Sequence, residues 1–165
     1  FIIDIDSTLA KATPEREECL KSDPPDWDGF LKPELVATDF PIKEAQRVLP
    51  EILRYHQVIF LTGRNEGLRE VTSKWLIEHF DFHTDHNSLL MRPIGNEDLP
   101  SQYKRGQLSN LFYRFPHIAW IAIDDDLYMV GIYIELGIIP LMAPKCWEHM
   151  YVMKPDLETE QVLRR

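Results

Sequence analysis

The chain opens with the stretch Phe1-Ile2-Ile3-Asp4-Ile5-Asp6-Ser7-Thr8-Leu9, and this stretch decides the fold. Its first three residues are bulky and apolar, and two of them are β-branched, which is typical of a buried strand. Two carboxylates, Asp4 and Asp6, follow where that strand must end. Residues i and i+2 share one face of a strand. If the extended backbone continues through Asp6, both carboxylates therefore lean into the same crevice.

Two carboxylates so close repel each other, so one must take a proton or a cation must lie between them. In an open α/β sheet, ligands bind in the crevice at the carboxyl ends of the strands. The pair therefore indicates a functional site. The alternative is an acidic turn after a core strand, with Ser7 and Thr8 capping the next element. The rest of the chain decides between these interpretations.

Composition sets limits on the possible functions. The chain has 165 residues, of which 44% are apolar, so it is long enough for one domain with a sizeable core. Its net charge of −9 argues against binding long nucleic acid or an anionic membrane by charge alone, although a local basic patch stays open. Two cysteines are too few for a disulfide framework. With no membrane-length apolar run and no secretory leader, we expect a cytoplasmic protein.

Apolar strands and amphipathic helices alternate along most of the chain. The strands are continuously apolar, which is typical of a parallel sheet covered on both faces. We therefore predict an α/β fold, with a parallel sheet flanked by helices in three layers. Pro50 lies inside the first long helix, which we expect to start late or to kink there. After the first strand, the predicted strands are 58–61, 88–91, 118–123 and 138–142, and the predicted helices are 43–55, 66–80, 102–113 and one that ends near 136.

Residues 10–41 interrupt this alternation. They hold five of the twelve prolines, many charges and little periodicity, which predicts an excursion over the surface with one short helix near 15–20. The excursion is too small for a domain of its own. We therefore expect a single domain over residues 1–165 with a small cap-like insertion at 10–41. Because the sequence starts without Met and inside a strand, we also expect it to be part of a longer chain.

Polar side chains follow three of the predicted strands. Asp4 and Asp6 follow the first strand, Thr62 follows the second, and Asp124 and Asp125 follow the fourth. The carboxyl ends of parallel strands lie on one edge of a sheet, so these side chains should meet in one crevice. Four carboxylates and a hydroxyl suit Mg²⁺, a hard cation that takes carboxylate oxygens, water and substrate phosphate.

Lys104, near the start of the helix predicted at 102–113, supplies the missing positive group. Fixed cations stabilise the charge that develops in phosphoryl transfer, so these residues form a coherent catalytic set. Each member also has an ordinary interpretation. Thr62 is suited to capping, Lys104 to being a solvated charge, and the Asp run to a helix N-cap. The order and placement of the whole set favour the catalytic interpretation.

Four segments in order resemble the motifs of the haloacid dehalogenase-like (HAD) phosphohydrolases. They are Asp4-Ile5-Asp6-Ser7-Thr8, Leu61-Thr62-Gly63-Arg64, Lys104 and Ile123-Asp124-Asp125. The resemblance covers residues 1 to about 142 and implies a Rossmannoid parallel sheet. Most relatives have Gly where this chain has Ser7.

Within that superfamily the chain is most similar to the 3′-phosphatase domain of bacteriophage-type polynucleotide kinase-phosphatases. Because these 165 residues hold no glycine-rich P-loop signature, we do not expect them to include the kinase half. The additional similar segments are Thr8-Leu9-Ala10, Thr72 to Leu76, Leu90-Met91 before Arg92, and Ala122-Ile123-Asp124-Asp125.

The resemblance implies a Mg²⁺-dependent phosphoric monoester hydrolase. Asp4 would be the nucleophile that forms an aspartyl-phosphate, and Asp6 would be the general acid and then the base for water. Thr62 would hold a phosphoryl oxygen, and Lys104 would neutralise the transferring group.

The resemblance also implies the binding residues. The implied metal site comprises Asp4, Asp6 through its backbone carbonyl, Asp124 and Asp125, with the direct ligand among 124–126 left open. The implied substrate-binding residues are Thr62, Gly63, Arg64 and Lys104.

A small insertion leaves the crevice open, which suits a large substrate with a phosphorylated end. We therefore expect a polynucleotide 3′-phosphatase acting on a phosphorylated nucleic-acid end or a nucleotide. The alternatives are a small-metabolite phosphatase and a catalytically idle interaction module. Trp27 and Phe30 are available to stack on a base, or to pin the insertion to the core. No membrane and no stable protein partner is predicted. The cations available to guide the substrate, with scattered solvated charge as the alternative interpretation, are Lys11, Arg16, Lys21, Lys32, Arg64, Arg69, Arg92 and Arg105.

Overall fold

A computed structural model describes residues 1–83 and 88–147. Five of its strands form one parallel sheet, and two form a small antiparallel sheet. The strands are β1 (Ile2–Ile3), β2 (Ala10–Lys11), β3 (Phe40–Pro41), β4 (Ile59–Asn65), β5 (Leu89–Arg92), β6 (Ile121–Asp124) and β7 (Ile139–Met142). The order in the large sheet is β5-β4-β1-β6-β7.

Helices connect the strands of the large sheet. The four longer ones are α4 (Lys43–Tyr55), α5 (Arg69–Phe80), α6 (Pro100–Arg114) and α7 (Leu127–Glu135). Three short ones precede them: α1 (Pro14–Glu18), α2 (Trp27–Phe30) and α3 (Pro33–Val36). In the part of the chain that the structure describes, no helix is both long and apolar enough to cross a membrane.

The sheet has a hydrophobic core on each face. Ile3 packs in one core with apolar residues of α4 and α5, and Ile2 packs in the other with residues of α6 and α7. This division follows from the strand geometry, because successive side chains of β1 point to opposite faces. The predicted three-layer α/β fold with a Rossmann-like parallel sheet is confirmed.

The strand order determines where the crevice lies in the sheet. β4 and β5 lie on one side of β1, and β6 and β7 lie on the other, so the order reverses at β1. Such a reversal opens a crevice at the carboxyl ends of the strands, where ligands bind. Ile3 pairs with Phe60 of β4 and with Ile123 of β6. Asp4 therefore emerges level with Asp124, where β6 ends, and beside Leu61, where the pairing of β4 with β5 becomes irregular.

One predicted strand boundary was wrong in a way that affects this edge of the sheet. The second strand does not end at Leu61 but continues to Asn65, with a register shift against β5 between these two residues. Thr62 and Gly63 therefore lie in an irregular strand end instead of a separate loop. Helix α4 has the predicted bounds, Lys43–Tyr55, with Pro50 inside it, so it does not start late.

Residues 10–41 are more structured than predicted. The short helix expected near 15–20 is present as α1 followed by a 3₁₀ turn at Cys19–Lys21, but α2, α3 and the antiparallel pair of β2 and β3 were not predicted. Arg16 and Val36 are fully buried. This segment therefore packs closely onto the rest of the chain.

A tight turn links β1 to this segment. The backbone amide of Leu9 donates to the carbonyl of Ile5 (2.8 Å), and that of Ser7 donates to Ala10 (2.7 Å). Ser7 adopts a φ of 58°, in the left-handed region. A residue with a Cβ pays about 1–2 kcal/mol there, which explains why Gly suits this position.

The turn can be tested by substitution at Ser7. We expect Ser7→Gly to change the free energy of unfolding by less than about 1 kcal/mol, because relief of strain is offset by the greater freedom of Gly in the unfolded chain. Ser7→Val should cost about 2 kcal/mol, because a β-branched residue is poorly accommodated at positive φ. Urea denaturation measures both values. Equal effects of the two substitutions would contradict the strained turn.

Candidate active site

Asp4 lies at the carboxyl end of β1 and is paired with a buried lysine. Lys104 Nζ donates to Asp4 Oδ1 (2.7 Å) and to Asp124 Oδ2 (3.0 Å). Pro100 starts helix α6, and Lys104 follows about one turn later on the face that packs against β4. The exposed fractions are 4% for Asp4, 5% for Lys104 and 1% for Asp124, so this charge cluster is shielded from water.

The ionisation of this cluster is perturbed. Burial raises the pKa of Asp4 to about 8; Lys104 opposes this rise, and repulsion from Asp124 and Asp6 adds to it. Burial also disfavours the charge of Lys104, but the two carboxylates outweigh it and raise the lysine pKa above its ordinary value. Burial and Asp124 raise the pKa of Asp125. Ionised Asp4 therefore carries a cost that a further cation would reduce.

Three carboxylates in this crevice fit a divalent metal ion. Asp4, Asp124 and Asp125 each offer an oxygen within 4.8 Å of the others. Thr8 Oγ1 spans two of them, at 3.5 Å from Asp4 Oδ2 and 3.4 Å from Asp125 Oδ1. These contacts are too long to satisfy the carboxylates, so lone pairs stay available on Asp4 and Asp125. Hard oxygen donors with unmet valence are typical Mg²⁺ ligands.

Asp124 accepts the most hydrogen bonds of the three carboxylates. Its Oδ2 accepts from Lys104 and from the Tyr133 hydroxyl (2.9 Å), and its Oδ1 accepts from the backbone amide of Asp126 (3.0 Å). Burial and Asp124 raise the pKa of Tyr133, so its hydroxyl stays a proton donor. Tyr133 thus orients Asp124 from α7, a role that sequence analysis missed.

Asp6 faces a separate set of charges. Arg64 Nε donates to Asp6 Oδ2 (2.9 Å) and Arg64 Nη2 donates to Oδ1 (2.8 Å), while Arg16 Nη1 lies 3.0 Å from Oδ1. Behind the arginines, Asp39 Oδ2 accepts from Arg64 Nη2 (2.9 Å) and from Arg16 Nη1. Arg16, Arg64 and Asp39 are at most 3% exposed. A buried network of two acids and two arginines therefore fixes Asp6.

The two neighbouring aspartates therefore differ in ionisation. Burial alone would raise the pKa of Asp6, but Arg64 and Arg16 outweigh it and hold that pKa well below its ordinary value. The sequence suggested that a proton or a shared cation would relieve the repulsion between Asp4 and Asp6. In the structure each carboxylate has cations of its own, which come from different elements.

Residues 10–41 contribute directly to this network. Arg16 Nε donates to the carbonyl of Phe30 (2.8 Å), and the guanidinium lies 4.0 Å from the centre of the Phe30 ring. Trp75 Nε1, on α5, donates to the carbonyl of Asp39 (2.9 Å). Phe30 therefore helps to hold the segment in place, whereas the neighbouring Trp27 stays 57% exposed.

Thr62 and Gly63 form the wall beside the crevice. Thr62 is fully buried, and its Oγ1 accepts from the backbone amide of Arg64 (3.2 Å). A Cβ at Gly63 would lie 2.9 Å from Pro100 Cβ, so only glycine permits this close approach to the first turn of α6. Arg92 Nε donates to the Gly63 carbonyl (2.8 Å). These contacts tie the end of β4 to the helix that carries Lys104.

The structure thus divides the predicted site residues into two groups. Asp4, Lys104, Asp124 and Asp125 come together, and Asp6 pairs with Arg64 beside them. The sequence pattern indicates for Arg16 only a surface cation available to a substrate, and it does not mark Asp39. No local pattern marks the two as partners, because 23 residues of a proline-rich segment separate them.

Most of the cations proposed to guide a substrate are paired with acids. Arg16 and Arg64 pair with Asp6 and Asp39, and the other pairs are Lys21–Glu18, Arg69–Glu66 and Arg105–Glu135. Within residues 1–83 and 88–147, the three that make no ion pair are Lys11, Lys32 and Arg92.

Comparison with known proteins shows a likeness of fold. No protein-family model and no curated protein sequence matches the chain significantly. A chain in a solved structure of the Pnkp1/Rnl/Hen1 RNA repair complex matches with a TM-score of 0.61 and 20% identity, over 86% of this chain and 41% of that one. A chain in a second structure of the Pnkp1/Rnl/Hen1 complex matches with a TM-score of 0.58 and 21% identity, over 86% and 43%. The present chain thus spans less than half the length of both.

Removal of the Asp39 carboxylate tests the buried network. Asp39→Asn leaves two buried guanidinium groups with one carboxylate between them, and loss of one partner of a buried pair typically costs about 3–5 kcal/mol. We expect a drop of that size in the free energy of unfolding, measured by urea denaturation. Glu34→Gln, on the exposed surface of α3, is the matched control and should change it by less than about 0.5 kcal/mol. Similar effects of the two substitutions would argue against the network.

Acidification tests the state of Asp6. Its pKa is lower in the folded protein than the value of about 3.9 in an unfolded chain, so the unfolded chain takes up the proton first. The stabilisation is complete above that unfolded pKa and is lost as the pH falls below it. We expect the free energy of unfolding to fall more steeply below about pH 5 in the wild type than in Asp6→Asn. Parallel profiles would show that Asp6 is not held by the arginines.

Proposed function

We propose that this chain is a divalent-cation-dependent phosphatase that removes the 3′-phosphate from polynucleotide ends through an aspartyl-phosphate on Asp4. One observation carries the proposal: Asp4 lies at the carboxyl end of the central strand, in contact with Lys104 and close to two further carboxylates. The order of motifs that resembles HAD phosphohydrolases supports the chemistry. The fold likeness to a chain of an RNA repair complex supports a nucleic-acid end as the substrate.

Asp4 has an oxygen available for attack. Lys104 holds Oδ1 at 2.7 Å, whereas the nearest hydrogen-bond donor to Oδ2 is the Thr8 hydroxyl at 3.5 Å. The less engaged oxygen forms a bond to phosphorus while the bond from phosphorus to the 3′ oxygen breaks. The ammonium of Lys104 opposes the charge that builds up on the phosphoryl oxygens.

Asp4, Asp124 and Asp125 would hold the Mg²⁺ ion. When bound, Mg²⁺ supplies positive charge that favours ionised carboxylates and neutralises phosphoryl oxygens.

Asp6 acts as the general acid and then as the general base. The leaving 3′ oxygen takes a proton from Asp6; water then attacks the aspartyl-phosphate and returns a proton to Asp6, which releases inorganic phosphate and restores Asp4. Arg64 and Arg16 keep Asp6 ionised in the absence of substrate, which suits the base. The acid role requires Asp6 to gain a proton first. A phosphoryl dianion beside Asp6 favours this uptake, because a like charge raises a carboxyl pKa.

A small phosphate monoester is the second candidate substrate. The chain carries a net charge of −9, and most cations near the crevice are already paired with acids. Both features disfavour a long polyanion relative to a mononucleotide or another small metabolite.

The decisive experiment measures phosphate release from a 3′-phosphorylated oligonucleotide in Mg²⁺, beside mononucleotides and a 5′-phosphorylated control. We expect preference for the 3′-phosphorylated end, loss of activity with a chelator, and a drop in kcat of about 1000-fold or more in Asp4→Asn. Lys104→Met should cost about 100-fold to 1000-fold, because a fixed charge opposite the transferring group is lost.

The matched control is Asp28→Asn, an exposed acid on α2, which should retain full activity. Hydrolysis of mononucleotides alone would favour the second candidate. Activity that survives both Asp4→Asn and the chelator would rule out the proposed chemistry.

A further inference from the structure

Arg92 ends β5 and carries a charge that no acid within residues 1–83 and 88–147 compensates. Its Nε donates to the carbonyl of Gly63 (2.8 Å) and its Nη1 donates to the carbonyl of Asp98 (2.9 Å). Both acceptors are neutral backbone groups. The Asp98 carboxylate instead accepts from Asn96 Nδ2 (2.9 Å). Among the residues that the structure describes, Arg92 has no ion-pair partner.

This distinguishes Arg92 from the other cations that the structure places around the crevice. Arg16 and Arg64 are buried against Asp6 and Asp39, and Lys104 is buried between Asp4 and Asp124. Arg69 pairs with Glu66. Each of these positive charges is already opposed by carboxylates, so its attraction for an incoming anion is reduced.

The side chain is also well placed to bind an anion. A guanidinium has five N–H donors, and these two backbone contacts use two of them. Arg92 is partly exposed, so its remaining donors are open to solvent. The guanidinium is held by the carbonyl of Gly63, the residue after Thr62 at the irregular end of β4 that lines the crevice. A preorganised guanidinium fork matches two phosphate oxygens better than a flexible ammonium does.

The segment after Arg92 offers apolar surface. Ile94 is 75% exposed and Leu99 is 63% exposed, and both lie between β5 and α6. An exposed cation followed by exposed aliphatic side chains suits a ligand that alternates phosphates with sugars and bases.

We propose that Arg92 binds the backbone phosphodiester next to the 3′-terminal phosphate and thereby selects polynucleotide ends over free mononucleotides. This inference rests on the proposed function and names the group on the substrate that the site recognises. A 3′-mononucleotide lacks that phosphodiester, so Arg92 has nothing to bind there. The terminal phosphate meets Asp4 and Lys104 in both substrates.

The experiment is a double-mutant cycle in which one change removes the charge of Arg92 and the other removes the charge of one phosphodiester in the substrate. It measures kcat/KM in wild type and Arg92→Met for three substrates: a 3′-phosphorylated oligonucleotide, the same oligonucleotide with a neutral methylphosphonate at the penultimate linkage, and a 3′-mononucleotide. Arg114→Met, at the exposed far end of α6, is the matched control for the loss of one positive charge.

We expect Arg92→Met to lower kcat/KM for the oligonucleotide about 10-fold to 100-fold, mostly through KM, because a charged hydrogen bond is lost. Its effect on the mononucleotide and on the methylphosphonate substrate should stay within about 3-fold. The slope of log(kcat/KM) against log salt should become shallower by about 0.7, the value for one phosphate contact on a single strand. Arg114→Met should change none of these.

Equal losses on all three substrates with an unchanged salt slope would mean that Arg92 only braces the wall at Gly63, and would overturn the proposal. If Arg92→Met does not fold, the proposal is tested with kcat/KM of Arg92→Lys on the same substrates and with the effect of the methylphosphonate linkage on kcat/KM of the wild type. A neutral linkage that costs the wild type nothing would also overturn it. Absence of oligonucleotide hydrolysis by the wild type would instead refute the proposed function and this inference with it, a result that no Arg92 variant can mimic.

Discussion

Asp4, which is buried, and Asp6, which is partly buried, lie two residues apart and repel each other as bare anions, and the structure around them follows from how their charges are compensated. Asp4 is compensated by Lys104 of α6, and Asp6 by Arg64 at the end of β4 together with Arg16. These cations come from three elements that must all dock at the same edge of the sheet. If one of these elements failed to pack at this edge, a carboxylate would be left without its positively charged partner. Formation of the crevice is therefore coupled to folding of the domain.

Compensation by different groups gives the two acids different chemistry. Burial shields Asp4 from water and raises its pKa. A divalent cation nearby would lower that pKa and so favour the ionised carboxylate. Asp6 is held ionised by two guanidinium groups. One carboxyl group is thus suited to respond to a metal ion and the other to accept a proton. Division of labour between neighbouring carboxyl groups is a recurring feature of hydrolytic sites.

The segment of residues 10–41 takes part in the site and does more than cover it. Arg16 reaches Asp6 directly, and Asp39 holds both arginines from behind. The segment is in turn held by the contact of Trp75 with Asp39. A change that loosens this segment therefore alters the ionisation of Asp6 as well as access to the crevice.

The sequence alone determined the α/β class, the parallel sheet and the joint placement of Asp4, Lys104 and the later aspartates, because continuous apolar strands and polar strand ends are local patterns. Only the tertiary structure decided which charges pair. Arg16 and Asp39 form a buried pair although both lie in a proline-rich charged segment, which local sequence predicts to be exposed. Within the described part of the chain, the charge of Arg92 is uncompensated because its partners are backbone carbonyls, which the sequence does not distinguish. Pairing depends on distances between elements far apart in the chain, and those distances exist only once the layers have packed.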